Sequence, residues 1–325
     1  MRCVVLGAGG FIGNNLLRLL DGKVAVLRGL VRVGARAPRS VGAEMIIGDF
    51  ADTEKMRDLV RGCDTVFHLI GATTPATGHQ NMIDDLERNV SQTLRFLDIC
   101  VEQKVERLVF ASSGGTVYGI PERLPTPEDA AKNPITSYGI SKLAIEMYLE
   151  LYRYHFGLDY RVLRLSNPYG PHQTVRQEHG VVAAFLRSAL SGESVEIWGD
   201  GTVARDFIYI EDVVDAMLRA ALHTGSARTF NIGSGTSVSI RELVSEIETV
   251  TGRHIECVYR AARPVDIGRS ALDVRLAARE LQWSPRTSLS GGLEKTAAWV
   301  ERTLTQAEPE NRDRVGAVGA SGTGE

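Results

Sequence analysis

The chain has 325 residues, 43% of them hydrophobic and 24% charged, which suits a globular protein of about two domains. Its 37 Lys and Arg against 40 Asp and Glu leave a formal charge of −3, which gives no basis for a nucleic-acid or membrane-surface partner. Cys3, Cys63, Cys100 and Cys257 lie too far apart for zinc or redox pairs, no apolar run approaches the ~20 residues of a membrane span, and no signal peptide precedes the first apolar run, so a soluble, cytoplasmic protein is expected.

Short apolar runs predict strands at 3–7, 30–35, 44–48, 65–70, 107–112 and 160–166, with helical patterns at 12–20, 53–61, 83–103 and 137–155 between them. Alternation of strand and helix implies an α/β fold, a doubly wound parallel sheet with right-handed crossovers. That region, residues 1–168, is the first expected domain. After Asn167 the texture changes to "NPYGPHQ" and shorter mixed elements, so residues 169–305 are read as a smaller, mixed α/β second domain. Within it, "FIYIEDVV" (207–214) and "TFNIGSG" (229–235) look like strands returning to the main sheet, giving the first domain a further piece from about 205–235. Residues 306–325 carry no hydrophobic period and are expected to form a disordered tail.

"GAGGFIG" (7–13) stands at the first strand–helix junction. Gly7 permits the tight turn, Gly10 lets backbone N–H groups approach a pyrophosphate, and Gly13 lets helix and strand pack closely; Phe11 and Ile12 open the helix whose N-terminus faces the phosphates. Further on, "SYGISK" sets Tyr138 and Lys142 four residues apart, on one face of a helix. A tyrosine (pKa ~10) acting as a base near neutrality needs a shift worth roughly 4 kcal/mol, which a neighbouring ammonium supplies. The histidines, among them His68, His79, His155, His172 and His179, show no metal-like spacing with carboxylates or cysteines, and no metal is assigned.

With "GDF" (48–50), "HLIGA" (68–72), "RNV", "SSGGTVYG", "LSNPYGP" and "RDFIYIED" added, residues 2–300 resemble the extended short-chain dehydrogenase/reductase family, and within it the UDP-glucose 4-epimerase-like nucleotide-sugar enzymes. The resemblance implies a Rossmann-type first domain binding NAD(P), a second domain binding a nucleotide-diphosphate sugar, and a homodimer. It implies that Tyr138 is the catalytic base and Lys142 its partner, that Asp49 with Phe50 meets the adenine, and that Leu69, Ile70, Gly71, Asn89 and Ser112 line the cofactor trough. Pro168 then flanks the nicotinamide and Asn167 the substrate, with Thr73 beside it. Arg205 and Arg263 match positions that hold the diphosphate, where a guanidinium fork suits two charged oxygens; an exposed surface cation is the alternative for each.

Two departures from that pattern stand out. The position of a catalytic hydroxyl is Gly114, so Thr116, Ser113, Ser112 or a water is expected to serve the sugar oxygen, Thr116 first. The Asp–Glu pair of 4,6-dehydratases is absent from 114–116, which argues against elimination of water. At the expected end of the second strand, Gly34–Ala35–Arg36 replaces the acid that binds the adenosine ribose, so Arg36 either meets a 2′-phosphate or is a loop cation, and NAD and NADP both stay open. The functions weighed are a nucleotide-sugar 4-epimerase, an NADPH-dependent reductase of 4-keto-6-deoxy sugars, and a non-catalytic dinucleotide-sensing protein.

Overall fold

The computed structural model describes residues 1–35, 37–38, 41–74, 77–173, 180–262 and 267–316. In chain order, β1 (Arg2–Leu6), α1 (Phe11–Leu20), β2 (Val26–Val31), β3 (Glu44–Ile47), α2 (Thr53–Val60), β4 (Thr65–His68), α3 (Met82–Asp85), a π-helical turn (Leu86–Ser91), α4 (Gln92–Glu102), β5 (Arg107–Ser113), α5 (Ser137–Phe156) and β6 (Asp159–Leu165) build the first part. There follow β7 (Asn167–Tyr169), α6 (Val181–Ser191), β8 (Val195–Trp198), β9 (Ala204–Arg205), β10 (Phe207–Tyr209), α7 (Ile210–Leu222), β11 (Thr229–Ile232), β12 (Val238–Ser239), α8 (Ile240–Thr251), β13 (Cys257–Arg260), α9 (Arg275–Leu281) and α10 (Leu289–Gly316).

Among the described residues the main sheet has seven strands in the order β11-β6-β5-β4-β1-β2-β3, and every neighbouring pair is parallel. This is the doubly wound α/β sheet expected. Its strands are largely apolar on both faces because helices cover both, with Arg161 and Arg164 of β6 buried among them. Cys3 and Val5 join the core on the side of α1 and α7, while Val4 and Leu6 join the core of α2, α4 and α5. The strand order reverses between β1 and β4, so a crevice opens there at the carboxyl ends of the strands.

Three elements differ from the sequence reading. The second strand runs Val26–Val31, not 30–35. Ala25 N donates to Met1 O at 3.0 Å, so pairing starts where β1 starts and the strand is spent before Val33. "FIYIEDVV" divides: among the described residues β10 pairs only with β7, and a helix starts at Ile210 with Glu211 and Asp212 in its first turn, where the helix dipole favours acids. "TFNIGSG" does supply β11, on the edge beside β6. At the other end, the backbone of α10 stays helical past Gln306 as far as Gly316.

Arg164 and Glu146 tie α5 to β6. Arg164 Nη2 lies 2.6 Å from Glu146 Oε2, with side chains 5% and 7% exposed. Tyr118 and Ser112 join this pair: Arg164 Nη1 donates to Tyr118 OH at 2.8 Å, and Ser112 Oγ donates to Glu146 Oε1 at 2.5 Å. The buried charges are therefore fully hydrogen-bonded, the condition for tolerating them.

Candidate active site

The glycine turn closes on itself before α1 begins. Gly10 N donates to Gly7 O at 2.9 Å, Gly7 sits at φ +82°, and a Cβ at Gly13 would overlap Gly7 O. The N-terminus of α1 has no side-chain cap and no acid in its first turn, so its N–H groups are open to an anion. Phe11 and Ile12 are half-buried and pack on the core. The end of β4 adjoins this turn: a Cβ at Gly7 would touch Leu69 C at 3.4 Å and Ile70 Cγ1 at 3.5 Å. Gly71 in turn reaches Lys142, whose Nζ would be 3.9 Å from a Cβ there.

Tyr138 and Lys142 project from the first turns of α5. Thr136 caps that helix by accepting Gly139 N at 3.1 Å. Gly139 is needed for close approach, since a Cβ there would lie 2.9 Å from Thr116 O and 3.2 Å from Thr116 Cβ. The helix start is thereby set against the segment after β5. Lys142 is buried; its Nζ donates to Ala111 O at 2.9 Å and sits 4.7 Å from the centroid of the Phe110 ring and 5.7 Å from that of Tyr138. Burial lowers the Lys142 pKa to about 8, against the pull of Glu146 and Asp85. Burial, with the Asp85 carboxylate beside it, raises Tyr138 to about 12, so the phenol is protonated at neutral pH.

Behind this pair stands a carboxylate that sequence reasoning missed. Asp85, 1% exposed, accepts from Thr73 Oγ1, from Asn89 Nδ2 at 3.0 Å and from Ser141 Oγ at 2.5 Å. Asn89 Oδ1 accepts Ala72 N at 2.8 Å, which pins the loop after β4. The π-helical turn carries Asn89, and the helical spacing from Asp85 to Asn89 was a signal available in the sequence. Thr73 therefore spends its hydroxyl on Asp85 and Asn89, and Thr74 lines the cavity in its place. Ser112 likewise differs from its expected role: it is 4% exposed and donates to Glu146 inside the fold.

A cavity of about 560 Å³ opens over the strand ends. Ser113, Gly115, Thr116, Tyr138, Asn167 and Pro168 line it from one side, and Phe185, Trp198, Val203 and Arg205 from the other. Thr116 Oγ1 is buried with no hydrogen-bond partner among the described residues. Gly114 does not line the cavity; a Cβ there would point at Leu272 Cδ1, 2.5 Å away. Asn167 is held at β7 through Nδ2 to Asp206 O at 3.1 Å, and Arg205 Nη1 donates to Ile267 O at 2.5 Å. Asp49 is exposed just past β3, its Oδ1 accepting Ala51 N at 2.9 Å, while Phe50 packs edge-on to His68 with centroids 5.3 Å apart. His68 is buried under the trough, and burial lowers its pKa to about 3. Arg36, Arg263 and His179 lie outside the described residues, as does the side chain of His79. The open α1 N-terminus, the glycine cradle and the buried lysine fit a nicotinamide dinucleotide.

The profile of the NAD dependent epimerase/dehydratase family matches residues 3–233, from β1 to just past β11. The chain belongs to that family. It is an enzyme of the extended short-chain dehydrogenase/reductase type, which works with a nicotinamide dinucleotide. It is 36% identical over 304 residues to UDP-glucose 4-epimerase of Mycolicibacterium smegmatis, covering 91% of this chain and 97% of that one. It is 34% identical over 231 residues to dTDP-4-dehydro-6-deoxyglucose reductase of Escherichia coli, covering 71% and 73%. The crystal structure of UDP-glucose 4-epimerase from Thermotoga maritima with UDP-glucose superimposes with a TM-score of 0.89 at 34% identity, covering 94% of this chain and all of that one. Among the described residues, no helix is long and apolar enough to cross a membrane.

Proposed function

We propose that this family member is a nucleotide-sugar 4-epimerase. The observation that carries the reading is the convergence of Tyr138, Thr116 and Ser113 on one cavity that Arg205 also lines, with Lys142 buried behind the tyrosine. The bound dinucleotide supplies a hydride acceptor that later returns the hydride. Tyr138 is protonated in the free chain and must first give up its proton, which the adjacent Lys142 ammonium favours; as the phenolate it takes the proton of the sugar 4-hydroxyl and gives it back to the 4-keto oxygen. Lys142, an ammonium below about pH 8, stabilises the phenolate electrostatically. The orphaned Thr116 hydroxyl donates to the same sugar oxygen, and Arg205 holds the diphosphate through charge-assisted hydrogen bonds. Residues 1–168 with β11 carry the dinucleotide, and 169–305 shape the sugar-nucleotide end.

The same residues suit a single hydride transfer, and the likeness to the Escherichia coli reductase supports an NADPH-dependent 4-ketoreductase as the second reading. Incubation with UDP-glucose or UDP-galactose, followed by proton NMR of the anomeric region, separates the two. Interconversion supports the epimerase. Dinucleotide oxidation only with a 4-keto-6-deoxy sugar nucleotide supports the reductase. Neither activity with any nucleotide sugar supports a dinucleotide sensor.

We further infer a homodimer. Ile140, Met147, Leu151 and Tyr154 form an exposed stripe along α5, and Met82, Ile83 and Leu86 lie exposed in and just after α3, which contacts α5. A second copy of the chain is the occupant that covers both. The free thiols of Cys3, Cys63, Cys100 and Cys257 suit the reducing cytoplasm.

A further inference from the structure

We infer that Arg32 makes the adenosine end of the dinucleotide site a receptor for a 2′-phosphate, so that the chain binds NADP(H) in preference to NAD(H). This needs only the dinucleotide used by the family and is independent of the sugar chemistry proposed above.

Three neighbouring strand ends set the geometry. Ala8 N donates to Leu30 O at 3.0 Å, which seats the glycine turn against the end of β2. Gly48 N donates to Val31 O at 3.0 Å, which seats the exit of β3 against the same strand end. Arg32 is the first residue past β2, exposed, at the corner of a turn in which Ala35 N donates to Arg32 O at 3.0 Å. A pyrophosphate on the open N-terminus of α1 and an adenine near Asp49 would lie on either side of this point. A ribose joining them would meet the exit of β2, where Arg32 stands.

The charges there oppose a free diol. A ribose diol is normally held by a carboxylate at this strand end. From Arg32 to Ala43 the sequence has no Asp or Glu. The neighbouring acids are engaged or distant: Asp49 accepts Ala51 N, Asp52 accepts Lys55 N, Asp21 accepts Gly42 N, and Glu44 at the opposite end of β3 pairs with Arg28. The Arg32 guanidinium forms no ion pair or side-chain hydrogen bond with the described residues, so its planar fork is available. A guanidinium fork holds a phosphate dianion by two parallel hydrogen bonds, whereas it gives a neutral diol no such pairing. The strand register decides the point: with β2 ending at Val31, the acid's place falls on Arg32 rather than on Gly34 or Ala35.

The test is calorimetric titration of the nucleotide-free full chain with NADP+ and with NAD+. About tenfold or greater preference for NADP+ is expected in the unmodified chain, weakening as salt rises. Arg32→Ala should lose that preference, with NADP+ affinity falling about 10- to 100-fold and NAD+ affinity within threefold. Arg32→Asp should invert it. Equal affinities or tighter NAD+ in the unmodified chain would overturn the inference, as would Arg32→Ala weakening both dinucleotides alike. Because Arg32 is exposed, unchanged thermal unfolding of both variants provides the control for folding.

Discussion

Leu272 occupies the space that a side chain at Gly114 would need: a Cβ on Gly114 would fall 2.5 Å from Leu272 Cδ1, 3.0 Å from its Cδ2 and 3.1 Å from Arg164 O. Leu272 is 2% exposed and packs on Val117 and Tyr118, joining the C-terminal part of the chain to the end of β5. A side chain here would have to displace Leu272, and its Cβ would point at Leu272 rather than into the cavity. Gly114→Ser is expected to destabilise the protein by about 1–3 kcal/mol through overpacking, and Leu272→Ala in the same chain to relieve the clash while leaving its own cavity. Urea unfolding checks both. At Gly115, which faces open space in the cavity, Ser should leave unfolding unchanged and act on KM instead.

Removing one side of the buried pair between α5 and β6 should be far more damaging than a surface change. Arg164→Met leaves Glu146 buried without its cation, and a loss of about 3–5 kcal/mol is expected. Combining it with Glu146→Leu should recover much of that loss. Denaturant midpoints of the two variants measure the difference, and equal losses would mean that the stranded carboxylate is not the cause.

The pH dependence follows from Lys142. Its pKa is depressed to about 8 by burial, so the ammonium proposed to assist Tyr138 is present below that pH and lost as pH rises through it. Turnover should therefore fall on the alkaline side near pH 8. Asp85 raises the pKa of both Lys142 and Tyr138, so Asp85→Asn should move the alkaline limb to lower pH. A kcat profile of the variant, compared with the unmodified enzyme, shows the shift; an unmoved limb would separate Asp85 from the catalytic pair.

Thr116 tests the hydroxyl assignment. Its Oγ1 is buried and unpaired among the described residues, beside Tyr138 in the same cavity. Thr116→Val should slow turnover by about 10- to 1000-fold at nearly constant volume, corresponding to roughly 1.4–4 kcal/mol. Thr116→Ser, which keeps the donor, should retain most activity. Equal rates for the Val variant and the unmodified enzyme would assign Thr116 to packing alone.

What the sequence revealed was local. The glycine turn and the Tyr138–Lys142 pair are each defined by spacing within a few residues, and both stand at the element junctions read for them. The strand register of "GKVAVLRGLVRVG" was hidden because apolar residues lie on both sides of Arg28–Gly29 and only pairing with β1 decides where the strand starts. Asp85 was legible only in part: its spacing from Asn89 is local, but Thr73 and Ser141, which also donate to it, come from a loop and a helix elsewhere in the chain. Gly114 read as a missing hydroxyl because Leu272, its partner in space, is remote in sequence. Long-range packing, not local propensity, set each of these.

The most direct measurement of the central claim is epimerisation in heavy water. Incubated with UDP-galactose in D2O, the enzyme should form UDP-glucose without deuterium at carbon 4, because the hydrogen that leaves that carbon returns to it while only the hydroxyl proton passes through Tyr138. Tyr138→Phe should abolish the conversion and still bind the dinucleotide within a few-fold of the unmodified enzyme. Deuterium at carbon 4, or undiminished conversion by Tyr138→Phe, would contradict the mechanism.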